Sequence, residues 1–415
     1  MASSSTNPQN PSHAVAAGET LFRLAEGLHA YGIPAPRLEG AIHDAAARRG
    51  LRLELLSNPT ALFCSFSASE GPENGREIRM ARVEPGEVDL GRLIELEGVL
   101  AAFEEGRLEP EQALGRLEDI RRGPAAYGSW IEIAAFATAS ATAAAFFRGS
   151  ALDIGASALL GLGTGALAAA SRHRAQLAAV FEPLASLLVA LLTVAAARLG
   201  APLGESVVLL SGLIVLVPGY TLTVAMTELA TRHLTSGTTR LFGAIGTLLG
   251  MGFGVGIGRA LGGFVPALAP PRTLPPLAGT EPIALVLASL AFLVLFRAPW
   301  RDAGRIVFAG ALAFFGARLG ASVFGPELGV CLGALALGAA SNLDALWTRR
   351  PASVMLVPGI MLLVPGGIGF QSVSSFLARD ALSGVEAAFR MALVAMALVA
   401  GLLAANVAVR PRGAL

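Results

Sequence analysis

The chain contains no lysine, only two cysteines and few charged residues of either sign. Charged side chains make up 15% of its 415 residues, against about a quarter in a typical soluble domain. This deficit excludes an ordinary soluble globular protein. The absence of lysine, beside abundant alanine and glycine, is typical of coding bias. Cys64 and Cys331 lie in differently composed parts of the chain, so we expect no disulfide framework.

The sequence also lacks the motifs of common enzymes and cofactor sites. His29 and His43 are isolated, no Cys or His pair has metal-ligand spacing, and no nucleophile elbow or phosphate-binding loop occurs. We therefore expect no enzyme activity, no metal and no cofactor. The glycine run at 246–258 follows no predicted strand, so it indicates close helix packing, within one chain or in a homo-oligomer.

No basic and apolar leader precedes the first predicted helix, so we expect the N-terminal part to stay in the cytoplasm. Residues 1–17 are rich in Ser, Asn and Pro and are predicted to be disordered. Residues 1–128 hold 13 basic and 19 acidic side chains, whereas the remainder holds 18 basic and 11 acidic ones. The acidic balance of the first part argues against a nucleic-acid partner.

Residues 18–125 are predicted to form a small cytoplasmic α+β domain. Apolar residues recur at helical spacing up to Tyr31, and Pro36 opens a second helix. Three β-like runs follow, and two further helices complete the domain. The β-like runs are 51–56, 61–66 and 78–83.

From Trp130 onward, apolar stretches follow one another that are long enough to cross about 30 Å of hydrocarbon. They predict about ten spans, in a first transmembrane half at 126–265 and a second at 282–410, joined by a Pro-rich extracytoplasmic connector at 266–281. With a cytoplasmic N-terminus, eleven arginines fall in inner loops and seven in outer ones. The positive-inside rule supports this orientation, with both termini in the cytoplasm.

An internal repeat relates the two halves. Leu-Val-Pro-Gly occurs at 216–219 and again at 363–366, an offset of 147 residues, and Ser236-Gly237 meets Ser-Gly again at this offset. Because about five spans separate equivalent points, the second copy is inverted, as in many secondary transporters. The predicted fold is therefore an α-helical polytopic membrane protein with two five-helix inverted repeats behind an N-terminal cytoplasmic α+β domain.

Proline and glycine inside two spans predict broken helices, because proline removes a helical hydrogen bond and glycine loosens the backbone. Broken helices expose N–H groups and positive dipole ends that suit a substrate carboxylate. The alternative is that the motifs merely kink their helices. The predicted substrate-binding residues are Pro218, Gly219, Thr221, Thr223, Glu228, Pro365, Gly366, Gln371 and Ser372.

Glu228 is the acidic residue that follows the first motif inside its span. An ionised carboxylate at mid-depth costs roughly 3 kcal/mol, which makes Glu228 a candidate for proton coupling. Alternatively, it lies near the inner interface and pairs with Arg232, one turn further on. Arg379 and Asp380 form either an outer gate pair or an ordinary interfacial salt bridge.

These residues resemble the threonine/serine exporter (ThrE) family, from about Thr20 to Arg410. Family members often carry Asp at the position of Glu228, so the carboxylate is kept but lengthened. The resemblance rests on Arg37-Leu38-Glu39, the helix pair 90–120, Val217-Pro218-Gly219 through Glu228 to Ser236-Gly237, and the Leu-Val-Pro-Gly segments at 356–359 and 363–366.

The resemblance implies a secondary transporter of a bacterial inner membrane that exports threonine and serine by proton antiport. Its partners would be a small amino acid or organic acid, protons and the lipid bilayer. Relatives with the two halves on separate chains are associated with dicarboxylate export, so succinate-like substrates are one alternative. A membrane scaffold with a partner-binding cytoplasmic domain is another.

Overall fold

The computed structural model describes residues 11–68, 76–84, 86–268, 272–348, 350–363, 366–377 and 380–410. Within these ranges, seven helices are long and apolar enough to cross a membrane. The chain is therefore a mostly helical, polytopic membrane protein, as the sequence predicts.

The N-terminal domain, residues 11–122, has the predicted order of two helices, three strands and two helices. The first helix begins at Pro11, so residues 11–17 are helical, whereas the sequence analysis assigned 1–17 to a disordered segment; residues 1–10 lie outside the described ranges. The elements are α1 Pro11–Ala30, α2 Ala35–Arg48, β1 Leu51–Asn58, β2 Ala61–Ala68, β3 Glu77–Arg82, α3 Leu90–Glu104 and α4 Pro110–Arg122.

The sheet of this domain is antiparallel with the order β1-β2-β3. A tight turn joins the first two strands, where Asn58 is paired with Ala61. Alternate residues of β1 and β2, such as Leu53 and Leu62, are buried, and this face packs against α1 and α2. The alternation explains the strands, because side chains with a period of two cover one face of a sheet.

The membrane part begins at Ser129 and consists of two halves with matching helix lengths. Each half ends in an eight-residue helix, a twelve-residue helix and a helix of 28 or 29 residues. The first half contains α5 Ser129–Phe146, α6 Ala151–Ser171, α7 Ala175–Ala178, α8 Phe181–Arg198, α9 Glu205–Gly212, α10 Gly219–Ala230 and α11 Leu234–Gly262. The second contains α12 Glu281–Leu295, a short 3-10 helix at Trp300–Asp302, α13 Ala303–Phe324, α14 Pro326–Thr348, α15 Ser353–Ile360, α16 Gly366–Leu377 and α17 Ala381–Ala408.

Glycines allow the long helices to pack closely within the chain. A Cβ at Gly254 of α11 would overlap the carbonyl oxygen of Pro183 in α8, and one at Gly401 of α17 would overlap that of Cys331 in α14. Gly254 belongs to the glycine run for which the sequence predicted close packing. The two contacts occupy equivalent places, because α11 packs on α8 as α17 packs on α14.

The N-terminal domain lies over one end of the membrane helices, which we call the domain side; the opposite end is the far side. The amide of Leu90 donates to the carbonyl of Phe296 at 2.9 Å, and that of Gly91 to the carbonyl of Arg297 at 3.1 Å. The Tyr127 hydroxyl donates to Ala298 at 2.6 Å. The buried core of the domain continues into residues of α5 and α12, so the domain is packed onto the membrane part.

Candidate functional site

Two broken helices meet within the membrane part. The first break separates α9 from α10 and ends at Pro218, as the sequence predicts. The second separates α15 from α16, which begins at Gly366; Pro365 itself lies outside the described residues. A Cβ at Gly366 would lie 2.7 Å from Val217 Cγ1 and 3.2 Å from Gly219 Cα. Glycine is required here because the two breaks are in contact.

A cavity of about 160 Å³, the domain-side cavity, lies between the N-terminal domain and the membrane helices. Its lining is mostly apolar, with a few polar groups, as in many small-molecule sites. The N-terminal domain contributes Arg37 from α2 and Glu97 from α3, and α10 contributes Tyr220, Thr223 and Thr227. Thr223 is the predicted site residue that reaches this cavity.

A second cavity of about 410 Å³, the far-side cavity, lies beyond the contact of the broken helices. The predicted residue Gln371 lines it, together with Ser375 of the same helix. Its charged lining residues are Arg259, Glu386 and Arg390. A larger groove of about 930 Å³ lies on the N-terminal domain between α3 and α4, and its lining does not include the membrane helices.

Part of the lining of the domain-side cavity corresponds to part of the lining of the far-side cavity. Seven lining residues of one cavity are related to seven of the other by 147 positions, the offset of the sequence repeat. Each broken helix contributes one of its two segments to each cavity. Segments α10 and α15 line the domain-side cavity, and segments α9 and α16 line the far-side cavity. The pairs are Ser206 and Ser353, Leu209 and Leu356, Leu210 and Val357, Val255 and Leu402, Arg259 and Asn406, Thr223 and Phe370, and Val224 and Gln371.

Arg37 and Glu97 are the charged groups of the domain-side cavity. Burial lowers the pKa of the Arg37 guanidinium, while Tyr220 and Glu97 oppose that shift. Burial also raises the pKa of Glu97 to about 8, against the influence of Arg37. The two side chains affect each other electrostatically but form no ion pair with each other. Sequence reasoning missed both as site residues, although Arg37 belongs to the segment that carries the family resemblance.

Glu228 is fully buried at the contact between α10, α11 and the N-terminal domain. Its carboxylate accepts hydrogen bonds from the amide of Ala35 at 3.1 Å, from Ser236 Oγ at 2.8 Å and from Arg240 Nε at 3.1 Å. The ion-pair partner is therefore Arg240, and the predicted pairing with Arg232 is wrong. Arg232 follows α10 in a left-handed turn with φ +66°, which ends the helix before that pair can form.

A second polar contact joins the N-terminal domain to the loop after α10. Glu39 accepts from the Ser57 amide at 2.7 Å and lies 3.3 Å from His233 Nε2. Burial raises the pKa of Glu39, which the Ser57 amide and His233 oppose. Together with Glu228, this pair fastens the start of α2, and hence Arg37, to the membrane part.

The remaining predicted site residues lie elsewhere. Thr221 is half-buried on α10 and is not a lining residue of either cavity. Ser372 is buried and donates to the carbonyl of Gly384 at 2.7 Å, so it joins α16 to α17. Asp380 caps α17 by accepting from the Ser383 amide at 3.2 Å. Its predicted gate partner, Arg379, lies outside the described residues.

The long apolar helices, the two broken helices and the paired cavities define a multi-pass membrane protein. A sequence model of the threonine/serine exporter family, ThrE, matches residues 19–262. A second one, described as threonine/serine exporter, ThrE, matches residues 281–408. The chain belongs to the ThrE family.

The chain is also similar to several fungal proteins. It shares 27% identity over 382 residues with an uncharacterized protein of Schizosaccharomyces pombe, a match to 89% of this chain and 49% of the relative. It shares 25% identity with the pheromone-regulated membrane protein 10 of Pichia sorbitophila, over 89% of this chain and 37% of that one. It shares 24% identity with the Candida albicans protein of the same name, over 85% of this chain and 33% of that one. The chain thus spans half or less of the length of these relatives. No solved structure matches it significantly.

Proposed function

We propose that this protein is a secondary transporter that exports threonine and serine by alternating access between the domain-side and far-side cavities. The observation that carries the proposal is the correspondence of the two linings at one offset of 147 residues. In inverted-repeat transporters, corresponding surfaces of the two repeats open in turn to the two sides of the membrane around a site between the repeats, and the seven corresponding pairs support such an arrangement. The substrate class comes from the family to which the chain belongs.

An inverted repeat of ten spans is part of this proposal. Counting each broken helix as one span, and adding α12 to the seven long helices, gives ten. Arg148 after α5 and Arg297 after α12 both adopt a left-handed conformation, with φ +56° and +52°. A buried aspartate, Asp153 or Asp302, follows each arginine five residues later. The Arg297 turn contacts the N-terminal domain, whereas the Arg148 turn lies at the far side, as inversion requires.

We also propose that the domain side is cytoplasmic, in a bacterial inner membrane, with both termini in the cytoplasm. Arginines cluster at the domain-side helix ends, where Asp302 binds Arg305 at 2.7 Å and also pairs with Arg350. Such an excess is expected for the cytoplasmic side. The relatives from Pichia sorbitophila and Candida albicans are membrane proteins by name.

Proton antiport remains a proposal, with Glu228 as the predicted coupling residue. Protonation of Glu228 would weaken its bonds to Arg240 and to the Ala35 amide, and would thereby loosen α2 from the membrane part. The ionisable side chains close to it are Arg240, Glu39 and Tyr220. Through this contact, a proton on Glu228 would favour opening of the domain-side cavity.

The test is counterflow of labelled L-threonine, L-serine and succinate in proteoliposomes, with and without an imposed pH gradient. We expect threonine and serine to exchange and the pH gradient to drive their net movement. Movement of succinate alone would show that the substrates are dicarboxylates and not amino acids. No movement of any of the three, from protein shown to be folded, would contradict the transport function and favour a scaffold.

A further inference from the structure

We propose that the N-terminal domain supplies two of the groups that bind the transported molecule: Arg37 for its carboxylate and Glu97 for its ammonium group. The ligand is then a small zwitterionic α-amino acid held between this domain and the membrane helices. The inference rests on the proposed transport function, because it takes the domain-side cavity as a substrate site.

The first support is the unpaired guanidinium of Arg37. It lines a mostly apolar cavity, its side chain is partly buried, and among the described residues no oxygen accepts a hydrogen bond from it and no carboxylate forms an ion pair with it. A guanidinium has five N–H donors and keeps its charge. Its donors are therefore free to bind a ligand carboxylate in the bidentate geometry that arginine favours.

A second, independent support comes from the opposite wall of the cavity. Ser353 on α15 is 8% exposed, and its hydroxyl has no hydrogen-bond partner. Buried polar groups are nearly always satisfied, so a hydroxyl that lines a cavity and has no partner within the protein is available to bond to a ligand. Thr223 and Asn342 add polar atoms to the same lining. A ligand between α2 and α15 would therefore find polar partners at both ends.

Glu97 gives the site its second charge. Arg37, Glu97 and Tyr220 are the ionisable side chains among the described lining residues. Because Arg37 and Glu97 line the same cavity without forming an ion pair with each other, both side chains remain available to a molecule that carries both charges. A zwitterion would pair with Arg37 and with the ionised form of Glu97 at once, whereas the second carboxylate of a dicarboxylate would meet that ionised form with a like charge.

The lining of the cavity favours a small side chain on the ligand. The cavity volume is about 160 Å³. Leu93, Val357 and Leu402 form apolar walls, which suit a methyl or methylene group. The site therefore fits alanine, serine or threonine.

The experiment is equilibrium binding of labelled ligands to the purified full-length protein in lipid nanodiscs. The probes are L-threonine, 3-hydroxybutanoate, which lacks the ammonium group, and 1-aminopropan-2-ol, which lacks the carboxylate. The variants are Arg37→Gln and Glu97→Gln. Matched controls are Arg48→Gln on α2 and Glu95→Gln on α3, whose side chains are exposed.

We expect each cavity variant to weaken L-threonine binding by about 30-fold, the usual effect of truncating one partner of a buried charge pair. Arg37→Gln should also weaken 3-hydroxybutanoate but leave 1-aminopropan-2-ol unchanged, and Glu97→Gln should do the reverse. This crossed pattern distinguishes the loss of one binding contact from misfolding, because each variant still binds one of the two threonine fragments normally. The two controls should bind all three ligands as the wild type does.

Threonine binding unchanged in both cavity variants, or no binding of L-threonine or L-serine to the wild type, would overturn the inference. Succinate binding that depends on Arg37 and not on Glu97 would overturn the zwitterion assignment. The proposed function is tested separately, by counterflow in proteoliposomes. If threonine binds with the crossed pattern but shows no counterflow, the result supports the binding site and contradicts the transport function. If counterflow occurs and neither variant changes threonine binding, the result supports the transport function and contradicts the binding site.

Discussion

Glu97 lines the domain-side cavity together with Arg37, and burial raises its pKa to about 8. Near neutral pH its carboxylate is therefore divided between the protonated and the ionised form. A substrate ammonium group favours the ionised form, so substrate and proton would compete for this one side chain. Competition at a single group is sufficient to couple the release of a proton to the binding of an amino acid.

We expect the affinity for L-threonine to fall as the pH is lowered from about 9 to about 6. Above the pKa of Glu97 the carboxylate is already ionised, whereas below it the proton must leave first, so the loss approaches tenfold per pH unit. The other ionisable lining residues are Arg37 and Tyr220. Equilibrium binding at several pH values tests this, and Glu97→Gln should bind weakly at every pH. A flat profile for the wild type would contradict the competition.

Glu228 is the other carboxylate with a testable role. Glu228→Gln keeps the shape of the side chain but removes the charge that Arg240 faces at 3.1 Å. We expect this variant to insert normally and to lose pH-dependent efflux, measured with labelled threonine in proteoliposomes. Thr221→Ser, on the same helix but outside both cavities, is the matched control. Normal efflux across the pH range would remove Glu228 from proton coupling.

At the level of elements, the sequence predicted the broken helices well, because their cause is local. The first helix ends at Gly212, and Pro218 stands directly before Gly219, where the next helix starts. The partner of Glu228 was not predictable in this way, since Arg240 lies on the following helix and approaches through a turn at Arg232. Arg37 and Glu97 are brought together only by the packing of α2 and α3 onto the membrane part, for which no short motif exists.

The pairs of corresponding cavity residues could be found from the sequence alone. Ser206 and Ser353 are separated by the offset that the Leu-Val-Pro-Gly motifs define, and so are Leu209 and Leu356. Leucine and serine are so frequent in this chain that these matches carry little weight alone. They become informative once the structure places both members of each pair on a cavity wall.

The close helix contacts give a prediction at this scale. Gly254→Ala and Gly401→Ala each place a methyl group against a backbone carbonyl of the neighbouring helix, so we expect each to lower stability by about 1–3 kcal/mol. Gly256→Ala is the control, because its added Cβ would meet no atom within 4 Å, and we expect it to be neutral or slightly stabilising. Thermal unfolding of the purified variants measures this; equal stability of Gly254→Ala and Gly256→Ala would contradict the packing.

At the level of the whole molecule, contacts at Glu228, Glu39 and Arg297 hold the N-terminal domain against the membrane helices beside the domain-side cavity. Arg297 binds Glu87 of this domain at 2.6 Å, and Glu39 lies 3.3 Å from His233. Transport by alternating access then requires the domain to move away from the membrane helices. The N-terminal domain is thus a moving part of the proposed transport cycle.

Cross-linking tests this movement directly. In a background with Cys64→Ser and Cys331→Ser, we would introduce Glu39→Cys and His233→Cys and join them with a short thiol-specific, reducible cross-linker. We expect counterflow of threonine to stop on cross-linking and to return on reduction. Each single-cysteine variant, treated in the same way, controls for the reagent. Undiminished counterflow in the fully linked protein would show that the domain stays in place during transport.

The N-terminal domain also makes the two faces of the protein unequal. The far-side cavity relies on Arg259, Glu386 and Arg390 of its own helices, whereas the domain-side cavity takes its charges from outside the repeat. A carrier of two equivalent halves would be half-saturated at the same substrate concentration from either face. With Arg37 and Glu97 on one face only, the concentration for half-saturation differs between the faces, while the gradients alone still set the direction of net flow. A domain appended to one end is enough to turn a symmetric exchanger into one with a preferred loading side.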